Sequence, residues 1–361
     1  MPNGLTLCRA FYEQAIAPIL HRHFPRLPYA AGLIGYGSEV LGYDSARSQD
    51  HHWGPRVLLF LRDADLAERK PEIAACLSHN LPVSFEGFST NFGSPDGIGV
   101  RLPVAIPSGP VDHMVEIYSV SGFAQWRLGI EPSEPISNRR WLTLPQQRLL
   151  ETTSGEIFHD GIGEITRLRQ RLAYFPDDVW RYMLSCQWQK IAQEESFVGR
   201  AHEAGDALGS RLIAARLVRE MMRLGFLMER RYWPYSKWFG TAFARLAIAP
   251  DLLPHLQAAL AADDAASREG ALSLAYELLA ARHNALRITP PLETNVRAYY
   301  GRPYLTIRGN RFADAIRATL ADPQIAKLLL VGSADQFTDS TDVIDDPSTA
   351  AALGAVYPPW D

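Results

Sequence analysis

A short polar run concentrates the side chains that could bind phosphate and metal. Gly37 and Ser38 form a Gly-Ser pair, and the triplet Asp50-His51-His52 follows it. A Gly-Ser pair has no bulky side chain, so its backbone N–H groups and hydroxyl can approach a triphosphate. Carboxylates that follow it can hold the divalent metal that bridges the phosphates. This combination is typical of nucleotidyl transfer, although a surface loop whose Asp44 and Asp50 only cap turns has the same composition.

The elements that must position this run form a small α/β region. Residues 57–61 are a continuous apolar run, which predicts a buried strand directly after the triplet. Residues 83–88 and 114–120 alternate between apolar and polar positions like strands, and Glu116 lies inside the second of them. Residues 5–23 and 68–78 have the spacing of helices.

Helical patterns dominate the rest of the chain. A proline-rich stretch at 131–135 predicts a boundary, and from Trp141 onward apolar residues recur at helical spacing, as in the long segment 206–231. We therefore predict an α+β protein. Its domain 1–135 is an α/β lobe with a mixed sheet, and its domain 136–361 is mainly α-helical.

Composition excludes several classes of protein. The 361 residues include 36 Lys plus Arg and 40 Asp plus Glu, a net charge of −4, with 47% hydrophobic and 21% charged residues. These values exclude wholesale disorder and a collagen-like chain. The lack of a basic excess argues against a dedicated nucleic-acid binder, so we expect no nucleic-acid partner.

The cysteines and the hydropathy pattern indicate where the protein works. Cys8, Cys76 and Cys186 lie far apart, without the spacing of a zinc site or a disulfide framework. The N-terminal residues lack the pattern of a signal peptide, and no apolar stretch approaches the roughly 18 residues of a membrane helix. We expect a cytoplasmic protein without membrane contact.

The order of these residues resembles the nucleotidyltransferase superfamily, whose signature is a Gly-Ser pair, an acidic pair on a strand and a later third acid. Gly37 and Ser38 match the first element, Asp50 the first acid and Glu116 the third. The resemblance implies that Gly37 and Ser38 hold phosphate, that Asp50 bridges the metal, and that Glu116 binds a second metal or deprotonates the acceptor.

The chain departs from this signature at the second acid, where it has His52. A neutral imidazole can bind Mn²⁺ or Zn²⁺ but is a poor ligand for Mg²⁺. With Asp50, His52 and Glu116 as metal ligands, the expected cofactor is Mg²⁺ or Mn²⁺. Three interpretations stay open: the metal differs, Asp44 supplies the missing oxygen, or the site binds nucleotide without turnover.

More specifically, the chain resembles the bacterial family called domain of unknown function 4037, whose members are described as nucleotidyltransferase-like. The resemblance extends over nearly the whole chain. Its runs are 37–42 with 50–56, 199–200 with 205–210, 234–240, and 302–304 with 311–313. This family has no assigned substrate.

Two basic residues complete the predicted site. Lys237, flanked by aromatic residues, could neutralise charge on the leaving pyrophosphate, or its stem could pack on Trp238 while its amine reaches solvent. Arg56 could bind phosphate or pair with Asp50. Together with Gly37 and Ser38, Arg56 and Lys237 are the predicted nucleotide-binding residues, and Asp50, Glu116 and Lys237 are the predicted catalytic residues.

A second polar cluster belongs to the helical part. Arg200, Glu203 and Asp206 fall at three-residue steps and would share one face of a helix. There they could position an acceptor hydroxyl or amine, or form a structural network between helices.

We expect an enzyme that transfers a nucleoside monophosphate from an NTP to a hydroxyl or amine acceptor, in a metal-dependent reaction. The partners are the NTP and an acceptor that the sequence does not identify. One alternative is a nucleotide-binding or regulatory protein that has lost catalysis. A second is a metal-dependent phosphoesterase using the Asp50-His51-His52 triplet, but such enzymes also need an earlier Asp-x-Asp, and none precedes Asp50.

Overall fold

The computed structural model describes residues 3–45, 47–48, 52–97 and 99–358. Its residues divide into two compact units. Unit 1 comprises Met1–Pro135 and Arg148–Ala173, and unit 2 comprises Ile136–Gln147 and Tyr174–Asp361. The sequence prediction put everything from residue 136 onward in the helical domain, whereas Arg148–Ala173 packs in unit 1. The reason is a strand in that segment, described below.

Unit 1 is built on a mixed sheet. The strands of this unit are β1 (Ala30–Leu33), β2 (Arg56–Leu61), β3 (Ser84–Phe85), β4 (Phe88–Ser89), β5 (Met114–Ser119) and β6 (Glu156–Asp160). The main sheet has the order β5-β2-β1-β6. Strand β1 is antiparallel to β2 and to β6, and β2 is parallel to β5, with Leu58 opposite Glu116. The pairing of β6 with β1 brings the later segment into this unit.

The apolar run at 57–61 lies in a buried strand, as predicted, and this strand is an inner strand of the sheet. Every residue of β2 is buried, so both faces of the strand pack against other groups and the run has no polar alternation. The predicted strand at 83–88 is instead a short hairpin of β3 and β4. Glu86 and Gly87, which lie between β3 and β4, both have positive φ, 47° and 84°, and this conformation reverses the direction of the chain.

Helices cover the sheet and bury its apolar residues. The helices of the first segment of unit 1 are α1 (Gly4–Phe11), α2 (Ala17–His23), α3 (Asp63–Asn80) and α4 (Val120–Leu128). Its later segment adds α7 (Glu164–Arg171); the two helices that lie between α4 and α7 in the chain are given with unit 2. A π-helical stretch, Tyr12–Ile16, joins α1 and α2. Phe11 and Ile16 pack with Leu59 of β2 and Ile117 of β5 in the core.

Unit 2 is mainly helical, which together with the mixed sheet of unit 1 confirms the predicted α+β class. Its helices are α5 (Asn138–Trp141), the first residues of α6 (Gln146–Thr153), α8 (Asp177–Glu194), α9 (Phe197–Glu203), α10 (Ala207–Met228), α11 (Ser236–Phe243), α12 (Ala249–Ala261), α13 (Ala265–Ala285), α14 (Asn310–Arg317), α15 (Pro323–Ala326), α16 (Ala334–Phe337), α17 (Thr341–Asp345) and α18 (Pro347–Ala352). A hairpin of β7 (Arg297–Tyr299) and β8 (Arg302–Thr306) packs beside them. Among the described residues, no helix combines the length and apolarity that a membrane crossing needs.

Candidate functional site

The Gly-Ser pair lies in the turn that follows β1, and its glycine is required there. Gly37 has φ +126°, a conformation that side chains rarely adopt. A Cβ at this position would also collide with the guanidinium of Arg56 and the carboxylate of Glu39. Tyr36, Gly37 and Ser38 are half-buried, so the turn reaches the surface while its base is closed by these two charged side chains.

Arg56 and Glu39 form a buried ion pair beneath the turn. Glu39 Oε1 accepts from Nε of Arg56 at 2.8 Å and from Nη2 at 2.6 Å, and the two side chains are 2% and 3% exposed. Nη2 also donates to the carbonyl of Tyr36 at 2.6 Å. Burial opposes the guanidinium charge, but the Glu39 carboxylate outweighs it and raises the pKa of Arg56. Arg56 therefore pairs with Glu39, a partner that the sequence analysis did not consider, and it holds the turn.

Glu116 is joined to this turn through a tyrosine. It lies in the middle of β5, where Oε2 accepts from the hydroxyl of Tyr36 at 2.8 Å and Oε1 accepts from the hydroxyl of Tyr118 at 3.1 Å. Burial is the main cause that raises the pKa of both tyrosines, so both hydroxyls keep their protons and act as donors. The third acid of the predicted signature is thus one hydrogen bond away from Tyr36, the residue before Gly37.

The middle of the predicted signature is only partly described. Asp50 and His51 lie outside the described residues. His52 lies in a bend with φ +49°, and the next strand begins only at Arg56, so His52 is not on a strand as the signature would have it. Its ring centroid is 5.4 Å from that of Tyr36, edge to face, and Nδ1 accepts from the backbone N–H of Arg101 at 3.4 Å.

An aromatic cluster beside Glu116 was missed by the sequence analysis. The rings of Tyr118 and Trp126 stack with centroids 5.5 Å apart, and Lys70 Nζ lies 5.7 Å from the Tyr118 centroid. Trp126 is 45% exposed and gives the site an aromatic rim. The sequence held one signal for this cluster, because Glu116 and Tyr118 are two residues apart on a strand and so share a face. Trp126 comes from α4, and only the fold brings it there.

The described residues alone do not make a metal site. Glu116 offers a carboxylate and His52 an imidazole, and no group of three His, Cys, Asp or Glu side chains in the described ranges could hold a metal ion. A divalent cation that prefers oxygen needs more carboxylates than this. The predicted metal site therefore depends on Asp50.

Lys237 belongs to unit 2, in the first turn of α11. It is exposed, and its Nζ lies 5.1 Å from the centroid of the Trp238 ring. This cation–π contact is the one expected if the lysine packs on Trp238. The cluster of Arg200, Glu203 and Asp206 does not share one helix, contrary to the prediction. Helix α9 ends at Glu203, and Asp206 caps α10 by accepting from the N–H of Gly209 at 2.7 Å.

Comparison with known proteins finds a family model that matches part of the chain. Residues 141–239 match the model of the family described as Domain of unknown function (DUF4037). A nucleotidyltransferase-like protein from Exiguobacterium sibiricum is a solved structure similar to this chain, with 13% identity, 75% of each chain covered and a TM-score of 0.33. No match was found among curated proteins. The family match includes the predicted runs 199–200 and 205–210 and leaves out Gly37 and Glu116. The predicted resemblance to the domain of unknown function 4037 family is thus confirmed over residues 141–239, which match the family model.

Proposed function

We propose that the protein binds an NTP at the turn formed by Tyr36, Gly37 and Ser38 and transfers its nucleoside monophosphate to a hydroxyl or amine acceptor. The observation that carries the proposal is the hydrogen bond from Tyr36 to Glu116, whose positions in the chain differ by 80. It joins a turn suited to phosphate to a carboxylate suited to the acceptor, as nucleotidyl transfer requires.

The turn has the donors that a phosphate needs. Within the described part of the chain, the backbone N–H groups of Gly37 and Ser38 and the Ser38 hydroxyl have no hydrogen-bond partner. Consecutive unpartnered N–H groups with a hydroxyl are a common way to bind a phosphate oxygen. The buried pair of Arg56 and Glu39 keeps this turn in one conformation, so the donors are positioned before the ligand arrives.

Glu116 is the group that would act on the acceptor. Its two oxygens each accept one tyrosine hydroxyl, and a carboxylate has about four acceptor positions, so it can still accept a hydrogen bond from an acceptor O–H or N–H. As the acceptor atom forms its bond to the α-phosphorus, its proton passes to Glu116, and the bond from the α-phosphorus to the bridging oxygen breaks and releases pyrophosphate.

The proposal includes a divalent metal, Mg²⁺ or Mn²⁺, held by Asp50, His52 and Glu116. When bound, such an ion neutralises charge on the phosphates. Asp50 is essential to this part of the proposal because Glu116 and His52 alone are too few ligands.

Two measurements on the same samples test the proposal. Thermal unfolding with each of the four NTPs, in Mg²⁺ or Mn²⁺, should show stabilisation by one NTP, because a ligand that binds only the folded state raises its stability. Pyrophosphate release with a panel of alcohols and amines should follow the same NTP. Asp50→Asn and Glu116→Gln should lose pyrophosphate release, whereas Glu68→Gln, an exposed acid on α3, should keep it. Full release by Glu116→Gln, or no stabilisation by any NTP, would contradict the proposal.

A second candidate function is nucleotide binding without transfer. It is favoured by His52, which stands where the signature has a second acid. It predicts the same stabilisation by an NTP but no pyrophosphate release with any acceptor in Mg²⁺ or Mn²⁺. The two readouts above therefore separate the two functions.

A further inference from the structure

Unit 2 contains a cavity of about 380 Å³ between α9, the first half of α13 and β8. Its lining includes three carboxylates, Glu195, Glu203 and Glu269, and the tyrosine Tyr276. We call it the acidic cavity. Its volume lies within the range of small-molecule sites. The turn and Glu116 belong to unit 1, and nothing in the proposed function uses this cavity.

The three carboxylates are fixed by hydrogen bonds from the segment that contains β8 and the residues after it. Glu195 accepts from the backbone N–H groups of Ile307 and Gly309 at 2.8 and 3.2 Å. Glu269 accepts from the N–H of Leu305 at 2.9 Å, and Glu203 accepts from the hydroxyl of Tyr304. These donors orient the acids but carry no positive charge.

The negative charge of the acidic cavity is not balanced by a cation in direct contact. Across the described ranges, none of its three carboxylates forms an ion pair with lysine, arginine or histidine. Arg311 acts electrostatically on Glu195 without an ion pair, and His202 of the cavity lining is exposed.

Tyr276 provides the second, independent observation. It is 1% exposed, lines the cavity, and its hydroxyl has no hydrogen-bond partner among the residues that the structure describes. Burial, and then the charges of Glu195, Glu194 and Glu269, raise the pKa of this hydroxyl well above its ordinary value. A buried hydroxyl without a partner costs free energy, and a ligand N–H can supply what is missing.

The walls of the acidic cavity decide which kind of cation suits it. Val198, Leu272 and Leu305 line it together with Pro303 and the ring of Tyr304. Gly199 has no side chain, and a Cβ there would collide with the Tyr304 ring, so the glycine is needed to seat that wall. Apolar walls favour a carbon skeleton over a hydrated metal ion. No metal-binding group of three side chains is found in the part of unit 2 that the structure describes.

We propose that the acidic cavity binds a small organic ammonium ion, with its N–H groups toward Glu195, Glu269 and Tyr276 and its carbon skeleton against the apolar walls. An ammonium group has N–H donors and no acceptor, which matches carboxylates, and one of its N–H groups can donate to the oxygen of the Tyr276 hydroxyl.

The test is isothermal titration of the full chain, without nucleotide, against three probes of one length: n-hexylamine, 1-hexanol and hexanoate. We expect n-hexylamine to bind at least tenfold more tightly than 1-hexanol and hexanoate to show no binding, because charge-assisted hydrogen bonds are the stronger ones. Glu269→Gln should weaken n-hexylamine about tenfold. Glu277→Gln is the matched control, since Glu277 lies on the same helix outside the cavity lining, and it should leave the affinity unchanged.

Tyr276→Phe removes the hydroxyl without changing the shape of the ring. We expect it to weaken n-hexylamine about fivefold and to leave the melting temperature of the free protein unchanged or higher, since the lost hydroxyl had no partner. Equal affinities for n-hexylamine and 1-hexanol would overturn the proposal, as would tight binding of Mg²⁺ or Ca²⁺ that Glu269→Gln abolishes while n-hexylamine does not bind. Because no NTP is present, a failure here is distinct from a failure of nucleotidyl transfer.

Discussion

The buried acid beneath the turn of unit 1 and the buried acid of the acidic cavity in unit 2 have different kinds of partner. Beneath the turn, Glu39 is paired with Arg56, and both are nearly inaccessible to solvent. In the acidic cavity, Glu195 is 7% exposed, and within the described part of the chain its hydrogen bonds come from backbone N–H groups. A buried acid that is paired with a cation serves the fold, whereas a buried acid without a cation is available to a ligand.

The largest expected effect tests the structural half of this comparison. Arg56→Ala leaves the Glu39 carboxylate buried without its cation, and breaking such a pair typically costs about 3–5 kcal/mol of unfolding free energy. Chemical denaturation measures it. Arg69→Ala, which breaks exposed ion pairs with Glu68 and Glu72, is the control and should change stability little. Equal effects of the two variants would mean that Arg56 does not hold the turn.

Gly37→Ala tests whether the turn needs its glycine. At φ +126° an alanine is strained, and its Cβ has no room, so we expect a loss of about 1–3 kcal/mol in unfolding free energy. Gly97→Ala has open space and no positive φ, so it should be nearly neutral. If NTP stabilisation is retained in a Gly37→Ala protein of unchanged stability, the turn is not the phosphate site.

The pH dependence of stability sharpens the contrast with Glu195. Burial raises the pKa of Glu195 from 4.5 to about 7, although three backbone N–H groups oppose the shift. The folded protein therefore keeps a proton that the unfolded chain has lost, and stability falls as pH rises from 4.5 to about 7. Over this window we expect the wild type to lose about 3 kcal/mol more than Glu195→Gln.

Denaturation curves from pH 4 to pH 8 measure this difference. Asp335→Asn is the matched variant, because burial also raises the pKa of Asp335, from 3.8 to about 6. Asp335→Asn should abolish the loss of stability between pH 3.8 and about 6 that is due to Asp335. It should keep the loss of stability that is due to Glu195. If stability changes with pH in the same way in the wild type and in Glu195→Gln, the Glu195 carboxyl titrates alike in the folded and the unfolded state.

The smallest effect compares two tyrosine hydroxyls. Tyr118→Phe removes a donor to Glu116 and should cost about 1 kcal/mol of unfolding free energy. Tyr276→Phe removes a hydroxyl with no partner among the described residues and should cost nothing. Thermal and chemical unfolding of the two variants give the values. A cost for Tyr276→Phe as large as for Tyr118→Phe would mean that its hydroxyl is satisfied in the free protein.

How far the sequence predicted the fold depended on how local the signal was. The strand β2 was predicted because its residues are apolar without interruption, and α10 because its apolar residues recur at helical spacing. The hairpin of β3 and β4 was read as one strand, since the turn at Glu86 and Gly87 follows from backbone dihedrals rather than from hydrophobicity. Strand β8 was missed because Pro303 interrupts it and its apolar pattern is too short.

The candidate site shows the same division. Gly37 was singled out by its residue type in the Gly-Ser pair, and Glu116 by the resemblance to the nucleotidyltransferase signature. The partner of Arg56 was not, because a guanidinium can reach any carboxylate that the fold brings near, and Glu39 comes near only when the turn and β2 pack together. Tyr36 gave no signal at all, although its hydroxyl connects the turn to Glu116.

The sequence by itself determined the α+β class and the buried strand at residues 57–61. These follow from composition and periodicity, which act over a few neighbouring residues. The tertiary structure alone decided which partners the acids have: Arg56 for Glu39, two tyrosine hydroxyls for Glu116, and backbone N–H groups without an ion pair among the described residues for Glu195. These partners depend on distances and burial between residues far apart in the chain, and no local pattern encodes those.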